Sequence, residues 1–204
     1  MVTAMAQTDT VEASTKDDGV RALFDQARAG DDRALDALCR QMRPRLYRVA
    51  WSVLRDSDEA DDVAQEALVR AVTKRFLFLG TGSVVGWMTR IALNLAKNRR
   101  RDRRRRGEIT DTALPEELVA RGALAGDLAA PDVAFADKAE RDRLLAAVAG
   151  LSERQRDVVR LRAVLGLDFA AVSEALGITE ENARVTFSQA KKKLIDKLTE
   201  GGKR

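Results

Sequence analysis

The chain has 204 residues, of which 45% are apolar and 33% charged, a balance that supports one large or two small buried cores and excludes a disordered chain. It has no histidine and one cysteine, Cys39, which excludes disulfides, zinc clusters and histidine-based acid–base or nucleophilic chemistry. The net charge is only +4, so the placement of the cations carries more information than their excess.

Residues 1–18 are polar, without period, and read as a disordered leader. They lack the charged start and apolar core of a signal peptide, and no later stretch approaches the roughly 18 apolar residues that span a bilayer. A cytoplasmic protein without membrane insertion is expected. From Val20 onward the pattern is helical. Gly30 ends a first helix (Val20 to Ala29), Asp31 or Asp32 caps a second that ends before Pro44, and a third runs from Pro44 to Arg55 with Leu46, Val49, Ala50, Val53 and Leu54 in one stripe. Cys39, beside Leu35 and Leu38, reads as an inert buried thiol. Ser57 or Asp58 caps a fourth helix whose Ala60, Val63, Ala64, Ala67, Leu68, Ala71 and Val72 keep helical spacing, leaving a distinctly acidic outer face with nothing obviously paired to it.

That helix gives way to F-L-F-L-G-T-G-S (76–83), where glycines break the period and aromatics sit in a loop. Ser83 can cap a fifth helix with Val84, Trp87, Met88, Ile91 and Leu95 on its core side and Arg90, Asn94 and Lys97 directed elsewhere. This helix continues into R-R-R-D-R-R-R-R (99–106), seven arginines in eight positions. Such a run at the end of an amphipathic helix suggests a polyanion held against a folded domain; a solvated basic tail or an address signal is the plainer reading. A first domain spans 19–106. Residues 107–136 are broken by glycine and proline and hold six acidic residues against one basic, Arg121, so they read as a flexible acidic linker.

The second domain spans 137–204. A helix presents Leu144, Leu145 and Val148, and Ser152 with Gln155 forms a capping box opening the next, which Gly166 ends. Asp168 caps a short helix, F-A-A-V-S-E-A-L, Gly177 terminates it, and Thr179 caps a longer basic helix: a helix-turn-helix. On a wheel of 100° per residue Ala183, Phe187, Ala190 and Leu194 define the buried side. Val185, Ser188, Gln189 and Lys192 face outward with Arg184 and Glu181 on the flanks. These side chains suit a major groove, since glutamine pairs with adenine, valine touches a thymine methyl, and lysine or arginine reaches guanine or phosphate. A helical interaction module with a merely soluble outer face is the plainer alternative. The fold class is all-α, two small helical domains joined by a flexible acidic linker, the second containing a helix-turn-helix.

Four stretches also resemble one family in its order: L-Y-R-V-A (46–50), D-E-A-D-D-V-A-Q-E-A-L-V-R-A (58–71), G-W-M-T-R-I-A-L-N-L-A (86–96) with its basic end, and L-S-E-R-Q-R-D-V-V-R-L-R (151–162) before the helix-turn-helix. They resemble bacterial RNA polymerase sigma factors of the extracytoplasmic-function (ECF) class, and the resemblance covers residues 20 to 198. It implies docking on the clamp coiled coil of core RNA polymerase through Asp61, Asp62, Gln65 and Glu66. It implies minus-ten promoter DNA contacts by Phe76, Phe78, Arg90, Asn94, Lys97, Arg99 and Arg100, with Trp87 as core, and minus-thirty-five contacts by Arg184, Val185, Ser188, Gln189 and Lys192. Core polymerase, promoter DNA and an anti-sigma factor are the implied partners, and the acidic linker resembles the one such proteins thread toward the active-site and RNA-exit channel. No cofactor, metal, small-molecule substrate or enzymatic activity is expected, nor an appended regulatory domain after residue 204. Leu93, where the family usually has arginine, and Asn98, where it has aspartate, depart from the pattern, as do Asn182, Thr186 and Gln189, where threonine, arginine and arginine are common. The usual minus-thirty-five sequence is therefore not carried over. A stand-alone helix-turn-helix regulator would account for the second domain, but such proteins usually bind as dimers and the sequence shows no heptad or other obvious dimerisation helix. A magnesium nuclease built on Asp58, Asp61, Asp62 and Glu66 lacks a convergent partner from a second element.

Overall fold

The computed structural model describes residues 17–78, 81–108 and 146–200, with side chains through 197, and every regular element among them is helical. The expectations for residues 1–16, for 109–136 and for Leu144 and Leu145 lie outside the described residues.

Helix α1 covers 17–28, so it starts before the expected leader ends. Asp17 on its first turn accepts a 2.7 Å hydrogen bond from the Ser83 hydroxyl. After Gly30, whose φ of +97° suits glycine, Asp31 caps α2 (Asp32–Leu54) by accepting from the Arg33 and Ala34 amides. Helix α2 is continuous through Pro44, where the sequence reading had placed a break. Proline costs a helix its hydrogen bond to the carbonyl four residues earlier. Here both Pro44 and Arg40 are exposed, so the proline lies on the outer side of the helix, while Leu38, Met42, Leu46, Val49 and Val53 carry the buried stripe past it without interruption. Core burial outweighs the local breaker.

Arg55, in the left-handed region at φ +57°, ends α2, and its guanidinium stacks over the Trp51 ring at 4.3 Å. Asp56, rather than Ser57 or Asp58, then caps α3 (Ser57–Thr73), accepting from the Asp58 and Glu59 amides at 3.1 and 3.0 Å. The tight αL turn shifts the helix start back one residue. Alanines 60, 64, 67 and 71 with Val63 pack α3 against α2 and α4, small side chains that let the helices approach closely. A 3-10 turn, Arg75–Leu77, follows, and then α4 (Val84–Arg105), capped by Ser83 accepting from the Gly86 amide.

In the C-terminal part a short helical stretch at 146–149 precedes Ser152, whose capping box with Gln155 is complete in both directions and opens α5 (Glu153–Val159). α5 runs into a π turn, Arg160–Val164, that no sequence pattern signals. Asp168 caps α6 (Phe169–Leu176), Gly177 at φ +64° closes it, and Thr179 accepts from the Asn182 amide at the start of α7 (Glu180–Glu200).

Helix α4 packs on α6, so the two helical groups touch. Val158, Leu161, Ala171, Val172 and Ala175 join the same apolar cluster as the residues of α1 to α4. Gly86 permits the approach: a Cβ there would lie 2.5 Å from the Ala171 carbonyl oxygen and 2.7 Å from the Glu174 Cβ.

The cap assignment is testable. Asp56→Ala should cost about 1 kcal/mol of stability through two unsatisfied amides, whereas Ser57→Ala and Asp58→Ala should cost well under half of that. Urea midpoints of the three variants check it; an equal loss for Asp58→Ala would return the cap to the position read from sequence.

Candidate polymerase and nucleic-acid interfaces

The acidic face of α3 is not unpartnered, as the sequence reading had it. Asp61 accepts from Arg43 of α2 at 2.9 Å and from Gln65 one turn on at 2.7 Å. The Gln65 and Arg43 hydrogen bonds hold the Asp61 carboxyl below the usual range. Asp62 and Glu66 both face Arg99 of α4, at 3.4 and 3.5 Å, and Glu66 also takes Arg70 at 2.6 Å. All four expected docking residues nonetheless share one helix face, with Asp62 and Gln65 exposed and Asp61 and Glu66 half-buried. Pairs this open to water add little to stability, so the face keeps carboxylates that a cationic partner can take over.

The arginine run divides by role. Arg103 turns inward: its side chain is only 17% exposed, and it bonds Glu59 at 3.0 Å with Asp56 and Glu108 each 3.8 Å away. Arg105 pairs with Asp102, and Arg106 pairs with Glu108 at 2.5 Å. Part of the run is therefore internal neutralisation. Arg101 and Arg104 are exposed, and Arg99 and Arg100 are half-buried.

The aromatics also separate. Phe76 is 60% exposed, beneath the Arg75 guanidinium, and Leu77 beside it is 70% exposed. Phe78 is 4% exposed, wedged edge-on against Phe24 at 5.4 Å and tilted on Trp87 at 5.5 Å. Phe78 is thus a core residue in this conformation, contrary to its assignment as a stacking surface; it anchors the turn because three aromatic rings close the end of the first core. Trp87 sits in the same cluster, as expected of a core residue.

Of the cations on α4, Arg90 and Lys97 face the second helical group. Arg90 donates to the Glu174 backbone carbonyl and lies 3.1 Å from its carboxylate. Lys97 bonds Glu153 at 3.1 Å and also Asp157. The Lys97 hydrogen bond and charge hold the Glu153 carboxyl below the ordinary glutamate range, so that stabilisation is present above that range and is lost as pH falls through the lowered value. Asn94, between them, is exposed. Glu153, Asp157 and Glu174 were not picked out by sequence: they lie 56 to 84 residues from their partners, and no local pattern links them. Near this seam a cavity of about 230 Å³ is walled by Arg45 and Arg48 against Asp17 and Asp168, where burial pushes the Asp17 carboxyl up.

On α7, Ala183, Ala190 and Leu194 are fully buried and Phe187 packs edge-on against Phe169 at 5.9 Å. Val185 is 48% exposed, and Arg184, Ser188, Gln189 and Lys192 are exposed on the same outer side. Arg184 pairs with Glu180 and lies 4.6 Å over the Phe169 ring, which fixes it at the flank of the face. The helix rotation thus matches the wheel. Among the described residues no cluster of carboxylates or cysteine is arranged to hold a metal ion, and no helix is long and apolar enough to cross a membrane.

Comparison with known proteins accounts for both halves. The family model of Sigma-70 region 2 matches residues 38–106, and that of Sigma-70, region 4 matches 141–194. The ECF RNA polymerase sigma factor SigE of Mycolicibacterium smegmatis is 30% identical over 193 residues, covering 93% of this chain and 71% of that protein. RNA polymerase sigma-H factor of Pseudomonas aeruginosa is 30% identical over 181 residues, covering 86% of this chain and 91% of its own. Among solved structures, CnrH in complex with the cytosolic domain of CnrY shares the fold at a TM-score of 0.59 and 23% identity, over 89% of this chain and 97% of that one. The chain belongs to the RNA polymerase sigma factors of the extracytoplasmic-function class.

Proposed function

We propose that this sigma factor binds core RNA polymerase through the α3 face, directs it to promoters and promotes their melting. Asp61, Asp62, Gln65 and Glu66 meet the polymerase. Phe76, Arg90, Asn94, Lys97, Arg99 and Arg100 hold the minus-ten element, while Arg184, Val185, Ser188, Gln189 and Lys192 read the minus-thirty-five element. Phe78 contributes by shaping the Phe76 turn from within. The domain limits follow the same division: 19–106 for polymerase and minus-ten DNA, 107–136 as linker, 137–204 for minus-thirty-five DNA. The protein acts in the cytoplasm as an initiation factor rather than as a catalyst, with an anti-sigma factor as a further partner.

The observation that carries this reading is the split of α7 behind the Gly177 turn: a fully buried alanine and leucine side, and an outer side of Val185, Ser188, Gln189 and Lys192 that suits base edges and phosphates. The acidic α3 face supplies the second, separate interface that a stand-alone regulator would not need. Run-off transcription tests the whole: a promoter-specific transcript should appear only when the chain and core polymerase are combined. Specific duplex binding by the chain alone would favour the regulator, and magnesium-dependent cutting the nuclease.

The docking face gives a sharper expectation. Asp62→Asn with Glu66→Gln removes both charges without placing new cations against Arg99, and should weaken association with core polymerase at least about tenfold while the melting temperature moves by only a few degrees. Gel filtration with core polymerase and thermal unfolding measure the two quantities; undiminished co-elution would remove α3 from the interface.

The reading helix gives another. Gln189→Ala should cost on the order of 1 to 3 kcal/mol of holoenzyme binding, and only on promoters keeping the contacted base pair, whereas Lys192→Ala should weaken all promoters alike. Binding to a library randomised across the minus-thirty-five region separates these outcomes. A selectivity profile untouched by Gln189→Ala and Val185→Ala would place base reading elsewhere.

A further inference from the structure

The cavity of about 230 Å³ plays no part in the interfaces assigned above, yet four charged side chains line it: Arg45 and Arg48, one turn apart on α2, Asp17 of α1 and Asp168 at the start of α6. Among the described residues neither arginine makes a hydrogen bond or an ion pair with another side chain. Asp17 and Arg45 feel each other's charge without closing into a pair. Like charges also stand near one another. Burial pushes the Asp17 carboxyl up, against the hydrogen bond from Ser83, and the Asp168 charge adds to the rise. Burial likewise pushes the Arg45 guanidinium down, against the Asp17 charge, and Arg48 adds to the fall.

Ordered water can fill a polar cavity of this kind, but it carries no charge to set between two guanidiniums. An anion does, and guanidiniums match the oxygens of phosphate in forked pairs. Two arginines balance a phosphate monoester, which carries about −1.5 to −2 charges at neutral pH. The carboxylates call for donors at the other end of the same molecule, which hydroxyl groups supply. The volume falls below the roughly 300 to 1,000 Å³ of sites for drug-sized ligands, so the carbon skeleton is short. We propose that this cavity is a binding site for a phosphate monoester of a short polyol, its phosphate held by Arg45 and Arg48 and its hydroxyls donated to Asp17 and Asp168. The walls come from α1, α2, α4 and the turn that leads into α6, so an occupant ties these elements together and stabilises the folded chain by linkage.

The proposal is independent of the polymerase and promoter assignments, and the free full-length chain tests it. Glycerol 3-phosphate is the probe, titrated calorimetrically at low salt, with thermal unfolding in parallel. It should bind saturably with a dissociation constant at or below about 1 mM and raise the melting temperature. Glycerol should not bind, and inorganic phosphate should bind at least about fivefold more weakly. Arg45→Gln with Arg48→Gln should weaken the probe at least about tenfold. Arg45→Lys with Arg48→Lys keeps the charge but loses the forked donors, and should fall between that pair and the parent. Arg33→Gln with Arg40→Gln removes the same charge from exposed positions on the same helix and should change nothing. No saturable binding, or equal losses from the 45/48 and 33/40 glutamine pairs, would overturn the site. Inorganic phosphate binding as tightly as the probe, or malate binding more tightly, would overturn the class of ligand assigned to it.

Discussion

Seven arginines packed into eight residues repel one another, and a helix that ends in such a run holds together only if carboxylates are set against it. Helix α3 provides them. Glu59 and Asp56 at its start face Arg103, Asp62 and Glu66 further along face Arg99, and Glu108 just past the end of α4 takes Arg103 and Arg106. This exchange sets the rest of the domain: α3 must lie antiparallel beside α4, its alanines allow the close approach, and the polar sides of both helices meet along one edge. The helix dipole adds to the effect, since acidic residues cluster in the first turn of α3 and arginines in the last turn of α4.

One consequence concerns how the proposed functions are coupled. The carboxylates assigned to polymerase docking and the arginine assigned to DNA share the same ion pairs, Asp62 and Glu66 with Arg99. A cationic polymerase surface that takes over these carboxylates releases Arg99, and a phosphate that takes Arg99 releases the carboxylates. Each event lowers the cost of the other. Binding free energies linked in this way are reciprocal, so polymerase and promoter would favour one another without any change of fold.

Much of this architecture was legible because its signals are local. The Ser83 cap, the Ser152 and Gln155 capping box, the Asp168 and Thr179 caps and the left-handed Gly177 each act within four residues, and the buried stripe of Ala183, Ala190 and Leu194 follows from helical period alone. The failures are equally physical. Pro44 was read as a breaker because a proline's local cost is visible in sequence, whereas the uninterrupted stripe that overrides it becomes decisive only once the helix is packed. Phe78 looked like a loop aromatic because the chain around it is irregular, and only Phe24, 54 residues away, makes it core. The acidic face of α3 looked unpartnered for the same reason: its arginines come from other helices. The wheel placed Val185, Ser188, Gln189 and Lys192 on one exposed side, yet exposure does not by itself assign a base contact.

The contact between domains was the least legible feature and has the largest effect on how the chain presents its surfaces. With α4 packed on α6, the two candidate DNA faces are not treated alike. Arg90 and Lys97 on α4 are taken by Glu174, Asp157 and Glu153, while Val185, Ser188, Gln189 and Lys192 on α7 remain open to solvent. The α7 side chains are exposed, whereas the two α4 cations are held by carboxylates and a carbonyl of the second helical group. The asymmetry matches what initiation demands of the two elements, because the minus-thirty-five site is read as a duplex, whereas minus-ten bases become available only after strand separation. The arginine run lies outside this contact: Arg99 and Arg103 are set against α3, and Arg101 and Arg104 are exposed, so the strongest phosphate-binding potential of the first domain stays at its α3 edge, where contacts carry no sequence information of their own.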